Sequence, residues 1–224
     1  MKKIFLCLFF CFLLKVSNAQ EDNSKHFPEQ SISFSLFPGF SNIYTILPNS
    51  LESAFSPTFS FAVGVGYEYR FSSRFSLQLG FRYIRSGANW NNYDEINFQN
   101  SEYNVNVYYS YLTLPIGGRF YFGNKDKSLF LLAEVIPAAY VGGYLKFIDS
   151  TRGLDGGSFS LVPPSHKLML FGNIGIGKRI ILTHRLYAEG GLYYENAIFP
   201  LDEEDRYKSY FNALELGFTI GRKL

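Results

Sequence analysis

The chain has 224 residues, of which 21 are basic, 19 acidic and only 18% charged, while 24 Phe, 17 Tyr and 20 Gly dominate a sequence of mean hydropathy −0.02. So many aromatics and glycines make a poor helix former and a good strand former. A hydropathy near zero beside them means that polar and apolar residues are finely interleaved, which disfavours a helical bundle.

The first twenty residues stand apart. Lys2 and Lys3 form a positive n-region, Ile4 to Leu14 an apolar h-region, and Ser17 and Ala19 a small-x-small cleavage signal. Residues 1–19 read as a secretory signal peptide cleaved after Ala19. The apolar stretch is too short for a transmembrane helix, and Phe9 and Phe10 stand before Cys11 where a lipoprotein signal needs small residues. Removing Lys2, Lys3 and Lys15 takes the 21 basic residues to 18, against 19 acidic. The basic balance therefore leaves with the signal peptide, and nucleic acid is not an expected partner. Cys7 and Cys11 leave with it too, so the mature chain has no disulfide, thiolate metal site or cysteine nucleophile. Residues 20–30 are polar and read as a flexible lead-in to one domain, residues 31–224.

Beyond residue 30 the dominant period is two. In 58–71, Phe59, Phe61, Val63, Val65, Tyr67, Tyr69 and Phe71 alternate with Ser60, Ala62, Gly64, Gly66, Glu68 and Arg70. That is a strand with one apolar face and one small, polar or charged face. After Ser72 and Ser73 the pattern resumes at Phe75, Leu77, Leu79, Phe81 and Tyr83, as a hairpin should. The scan predicts eight strands: 31–40, 58–71, 74–85, 105–122, 128–147, 167–180, 185–196 and 209–222. In 105–122 the apolar positions change from odd (Val105, Val107, Tyr109) to even (Leu112, Leu114, Ile116), which predicts a bulge near residue 110. With no helix between strands, neighbours pair antiparallel.

The connections alternate long and short. Residues 41–57, 86–104, 148–166 and 197–208 are long, whereas 72–73, 123–127 and 181–184 are tight. An up-and-down barrel then has long loops at one end and short turns at the other, as outer-membrane barrels do. A ligand-binding barrel in water would need charge on its outer face. Here the polar face carries Glu68, Arg70, Arg82, Arg119, Glu134, Lys146, Glu189 and Glu215, and the opposite face is almost unbroken Leu, Val, Ile, Phe and Tyr. The fold class expected is all-β, an antiparallel up-and-down eight-stranded transmembrane β-barrel. The eight charged residues form its interior network, because eight strands leave an interior just filled by side chains. Tyr67, Tyr69, Phe71, Phe75, Phe120 and Phe122 should form an aromatic girdle near the short turns.

Residues 172–178, GNIGIGK, match the opening of a phosphate-binding P-loop. A P-loop needs Ser or Thr after the Lys, then a helix. Arg179 follows, and IILTHRLYAEGGL is not helical, so no nucleotide is expected. Read with period two, Leu168, Leu170, Gly172, Ile174 and Ile176 face lipid, and Met169, Phe171, Asn173, Gly175 and Gly177 face inward.

Ser165 and His166 are the candidates for a lipid-modifying enzyme, but adjacent strand residues point to opposite faces. His26 and His184 lie far along the chain, and no metal-ligand cluster is visible. The segment 201–205, LDEED, reads as a solvated acidic loop without the spacing of a calcium loop. Trp90, Tyr93, Phe98 and Tyr103, in the second long loop, are candidates for external recognition. No catalytic residue, cofactor or metal is expected.

The stretches YLTLPIGGRFYF (Tyr111–Phe122), LLAEVIPAAYVGGYL (131–145) and ALELGFTIGRKL (213–224) carry a family resemblance. The chain resembles the eight-stranded outer-membrane β-barrel proteins called PorT-like or outer membrane protein beta-barrel domain, and more distantly the OmpA-like barrels. Two departures stand out: Ile136 precedes Pro137 where Gly-Pro is usual, and the chain ends in Leu224 rather than an aromatic. The resemblance implies a bacterial outer-membrane location and a role in protein secretion for some relatives. The partners expected are outer-membrane lipid and lipopolysaccharide, the barrel-assembly machinery during biogenesis, and envelope or secretion proteins. A non-enzymatic structural or surface-binding barrel is the leading expectation, with a lipid-modifying enzyme or a small porin-like channel as alternatives.

Overall fold

A chain with a period of two places successive side chains on opposite faces of a pleated ribbon, and in the computed structural model each regular element described is a strand. The structure describes residues 28–47, 50–52, 56–90, 103–122, 127–149, 155–160, 168–199, 202–204 and 207–224. The expected signal peptide and most of the lead-in lie outside these residues. The elements are β1 (Glu29–Leu47), β2 (Ser50–Glu52), β3 (Ser56–Arg70), β4 (Phe75–Trp90), β5 (Tyr103–Thr113) and β6 (Ile116–Phe122). They continue as β7 (Lys127–Asp149), β8 (Asp155–Ser160), β9 (Leu168–Ile181), β10 (Leu186–Ala197), β11 (Asp202–Glu204) and β12 (Tyr207–Lys223).

Every pairing is antiparallel, and the sheet closes on itself. The circuit runs β1, β3, β4, then β5 and β6 in succession between β4 and β7, then β9, β10 and β12. β12 returns to β1 in an unbroken register from Ser31↔Lys223 to Leu36↔Phe218 and again from Gly39↔Glu215 to Ile46↔Lys208. Closure satisfies backbone groups that lipid cannot. The expected runs each fall on one position of this circuit, with 105–122 covering β5 and β6 together. β1 begins at Glu29, taking in the end of the expected lead-in.

At one end β3 and β4 join through a turn at Ser72 to Arg74, and β9 and β10 through Leu182 to Arg185. In the first turn the Ser72 hydroxyl accepts from the Phe75 amide, and in the second the Thr183 hydroxyl accepts from the Leu186 amide. At the other end the strands run beyond the expected limits. β1 reaches Leu47, β4 reaches Trp90 and β7 reaches Asp149, while short β2, β8 and β11 pair onto β1, β7 and β12. Part of what reads as long loop is therefore continued sheet.

The bulge expected near residue 110 is placed differently. β5 pairs with β7 through Ser110↔Gly142 and then Tyr111↔Tyr140, so the extra residue is Val141 of β7. β5 itself keeps its phase: Val105, Val107, Tyr111 and Thr113 are buried, as are Arg119 and Tyr121 of β6. The change from odd to even apolar positions has another cause. The barrel interior is apolar at the outer level and polar at the inner, so Val105 and Val107 point in while Leu112, Leu114 and Ile116 point out.

The outward face is the apolar one. Phe34, Val65, Leu79, Ile176, Leu192 and Phe218 are among its exposed side chains. The inner girdle forms beside the short turns: Phe75 stacks with Phe71 at 6.2 Å and meets the tilted ring of Phe120 at 4.7 Å, and Phe120 meets Phe122 at 4.5 Å.

Candidate functional site

Strand alternation points one row from each strand into the lumen, where charge must be paired to be tolerated. The lowest layer, nearest the short turns, is a chain of four charges. Arg119 Nη1 donates to both carboxylate oxygens of Glu189 at 2.7 Å. Arg179 Nε donates to Glu189 Oε1 at 2.5 Å, and its Nη2 donates to Glu68 Oε2. Glu68 also accepts from the Tyr121 hydroxyl at 2.5 Å and the Ser31 hydroxyl at 3.4 Å. The guanidiniums rest on aromatic faces, Arg119 over Phe130 at 4.6 Å and Arg179 over Tyr187 at 4.0 Å. Arg70 lies over Tyr121 at 4.2 Å and donates to the Ser72 and Ser73 carbonyls at 3.2 and 2.5 Å.

One layer outward, Arg82 makes a two-pronged pair with Glu134 at 3.1 and 3.0 Å, and Asn173 Nδ2 donates to the same carboxylate at 2.8 Å. Arg82 lies over the Phe37 ring at 4.5 Å. Glu195 is paired in register with Asn173, and Glu215 with Tyr193 and Gly39, so both buried carboxylates belong to this layer. Glycines clear space for the large side chains. A Cβ on Gly175 or Gly217 would lie 2.3 Å from the Tyr193 ring, and one on Gly177 2.4 Å from Phe130.

Above the charges the interior is apolar. Ile43, Ala88, Tyr111, Ile136, Ala138, Met169, Phe171, Ala197, Phe211 and Ala213, contributed by β1, β4, β5, β7, β9, β10 and β12, form one buried cluster across the lumen. Phe171 meets Tyr111 at 5.6 Å and Phe211 at 5.8 Å, edge to face. Between the two charged layers one cavity of about 20 Å³, lined by Ser33, Gln78, Arg82, Arg119 and Glu134 among others, has room for about one water.

Of the expected interior residues, Glu68, Arg70, Arg82, Arg119, Glu134, Glu189 and Glu215 all point into the lumen. Lys146 does not. Past Val141 the phase of β7 reverses, and Lys146 shares the outward face of Tyr144, which pairs with Tyr108. Sequence reasoning missed Arg179 and Glu195, both buried in the lumen. The phase of β9 carried Arg179 in two residues after Gly177, and the phase of β10 carried Glu195 in with Glu189. The segment 172–178 is strand throughout, as expected, with Met169, Phe171, Asn173 and Gly177 buried.

Trp90 ends β4 opposite Val105 of β5, and Tyr103 begins β5 opposite Asp149 of β7, both at the outer rim. Tyr93 and Phe98 lie outside the described residues, as do Ser165 and His166. His184 is exposed in the turn after β9. Asp202, Glu203 and Glu204 form β11 against Ser209, Lys208 and Tyr207. Among the described residues no group of His, Cys, Asp and Glu could hold a metal ion.

A closed antiparallel sheet with an apolar exterior, an aromatic girdle and a charge-paired lumen defines an integral membrane β-barrel. The chain belongs to the outer membrane protein beta-barrel domain family, whose model matches residues 18–221, and its place is the bacterial outer membrane. Among solved structures it is similar to OprG from Pseudomonas aeruginosa, at 11% identity and a TM-score of 0.44, covering 89% of this chain and 97% of that one. It is similar to Ail of Yersinia pestis, solved with the heparin analogue sucrose octasulfate, at 17% identity and a TM-score of 0.36, covering 85% and 99%. It is also similar to the outer membrane protease OmpT from Escherichia coli, at 8% identity and a TM-score of 0.40, covering 91% and 98%. Among curated proteins, none matches.

Proposed function

We propose that the protein is a non-enzymatic, closed barrel that works through its outer surface, as a structural, surface-binding or envelope-complex component. The observation that carries this reading is the filled lumen: among the described residues, two charged layers beneath an apolar layer pack side chains across the barrel. A barrel closed inside has only its rim, its turns and its lipid face left for contact. Trp90 and Tyr103 at the β4–β5 end are the rim residues to test for recognition.

The experiment is isolation of the tagged protein from its native outer membrane in mild detergent, with mass spectrometry of what accompanies it. A stoichiometric set of envelope or secretion proteins, or a free-standing barrel with unmodified lipid, agrees with the proposal. A change in lipid A mass that disappears with His166→Ala would overturn it in favour of a lipid-modifying enzyme.

A further inference from the structure

A lipid-facing guanidinium needs an explanation. Arg85 lies on β4 with the outward row of Leu77, Leu79 and Phe81, all exposed. Strand rise and tilt give about 2.5 Å of height per residue, so Arg85, ten residues beyond the girdle residue Phe75, stands about 25 Å above it. That is the height of the apolar band, and it puts Arg85 at the outer headgroup level.

There the guanidinium is held in place. Tyr108 and Tyr144 stack at 4.9 Å, and Arg85 lies 4.7 Å over the first ring and 5.0 Å over the second. These cation–π contacts use the face of the guanidinium, and among the described residues no carboxylate pairs with its N–H edge. The residues beside Arg85 in register are Phe61 and Ser110, and next along are Tyr83, Tyr108 and Tyr144, none of them a carboxylate. The Tyr83 and Ser110 hydroxyls bond each other at 2.9 Å. An aromatic-braced fork of donors at headgroup height matches phosphate, the acceptor that a guanidinium binds through paired N–H groups.

We propose that Arg85, braced by Tyr108 and Tyr144, is a binding site for a phosphate of lipid A, the phosphorylated glycolipid of the outer leaflet. The acyl chains of that lipid would lie along the apolar positions below, Phe81 and Leu79.

The test is native mass spectrometry of the purified full chain in detergent, titrated with lipid A carrying both phosphates, with dephosphorylated lipid A, and with inorganic phosphate. The wild-type protein retains phosphorylated lipid A in preference to the dephosphorylated form. Arg85→Gln lowers that retention by about tenfold, the worth of one charge-assisted bond. Arg222→Gln, at the opposite end of the outward face, leaves it unchanged. Heat-modifiable gel mobility reports that each variant is folded, and the comparison of lipid forms on wild-type protein decides the matter without any variant. Equal retention of both lipid forms, unchanged retention in folded Arg85→Gln, or displacement by inorganic phosphate at matching concentration would each overturn the proposal.

Discussion

Arg119 on β6 and Glu189 on β10 are separated around the wall by β7 and β9, yet they meet across the lumen at 2.7 Å. The pair is a strut through the barrel rather than a contact along its wall. Arg82 of β4 and Glu134 of β7 bridge in the same manner, and Arg179 of β9 reaches Glu68 of β3.

Removing one end of a strut leaves a charge without its partner in a buried site. Glu189→Gln keeps the shape but withdraws the anion shared by Arg119 and Arg179, and it should cost about 3–5 kcal/mol. Lys223→Ala breaks the part-exposed pair with Glu29 at 3.2 Å, and it should cost about 0–1 kcal/mol. Urea unfolding of the protein in lipid vesicles separates the two.

Tyr193 fills the space that Gly175, Gly191 and Gly217 leave clear. Gly217→Ala should cost about 1–3 kcal/mol, since the new methyl meets the Tyr193 and Phe37 rings. Gly190→Ala, where a Cβ meets nothing within 4 Å, should leave the same unfolding midpoint unmoved.

The Tyr111 hydroxyl is buried without a hydrogen-bond partner in the apolar layer. Tyr111→Phe removes that unsatisfied group and keeps the ring contacts. It should therefore stabilise the barrel by about 1 kcal/mol, read as a higher urea midpoint; a lower one would show that the hydroxyl is satisfied.

Ile176 is exposed on the outward face, at the level of Leu131 and Leu192. Ile176→Arg should cost about 2–4 kcal/mol in vesicles, as a cation at the middle of the hydrocarbon does. Leu182→Arg, in the turn after β9, should cost little in the same assay.

The barrel was legible because its outward face must be apolar at each alternate position, and a period of two survives without any knowledge of pairing. Glu68, Arg82, Arg119 and Glu134 followed from that phase alone. Arg179 obeyed the same phase but stood beside Lys178 in a stretch that resembles a P-loop, and Lys178 does point outward. Lys146 was misplaced because the phase reverses at Val141, flanked by Tyr140 and Tyr144. Tyrosine is at home on either face of a barrel, so the alternation there carries no sign of the slip. The apolar layer around Tyr111 and Phe171 was hidden for a related reason. It reverses the rule that apolar residues point out, and in β5 it reads as a bulge. The strut partners could not be read at all, since contacts across a lumen follow from closure and not from any spacing along the chain.

The central claim is a lumen closed to ions, and planar-bilayer recording of the purified wild-type protein tests it most directly. The filled interior predicts a silent membrane at each voltage applied, with insertion verified by heat-modifiable gel mobility of the protein recovered from the fused vesicles. Discrete, protein-dependent conductance steps from the wild-type chain would contradict it and make the charged layers the wall of a pore.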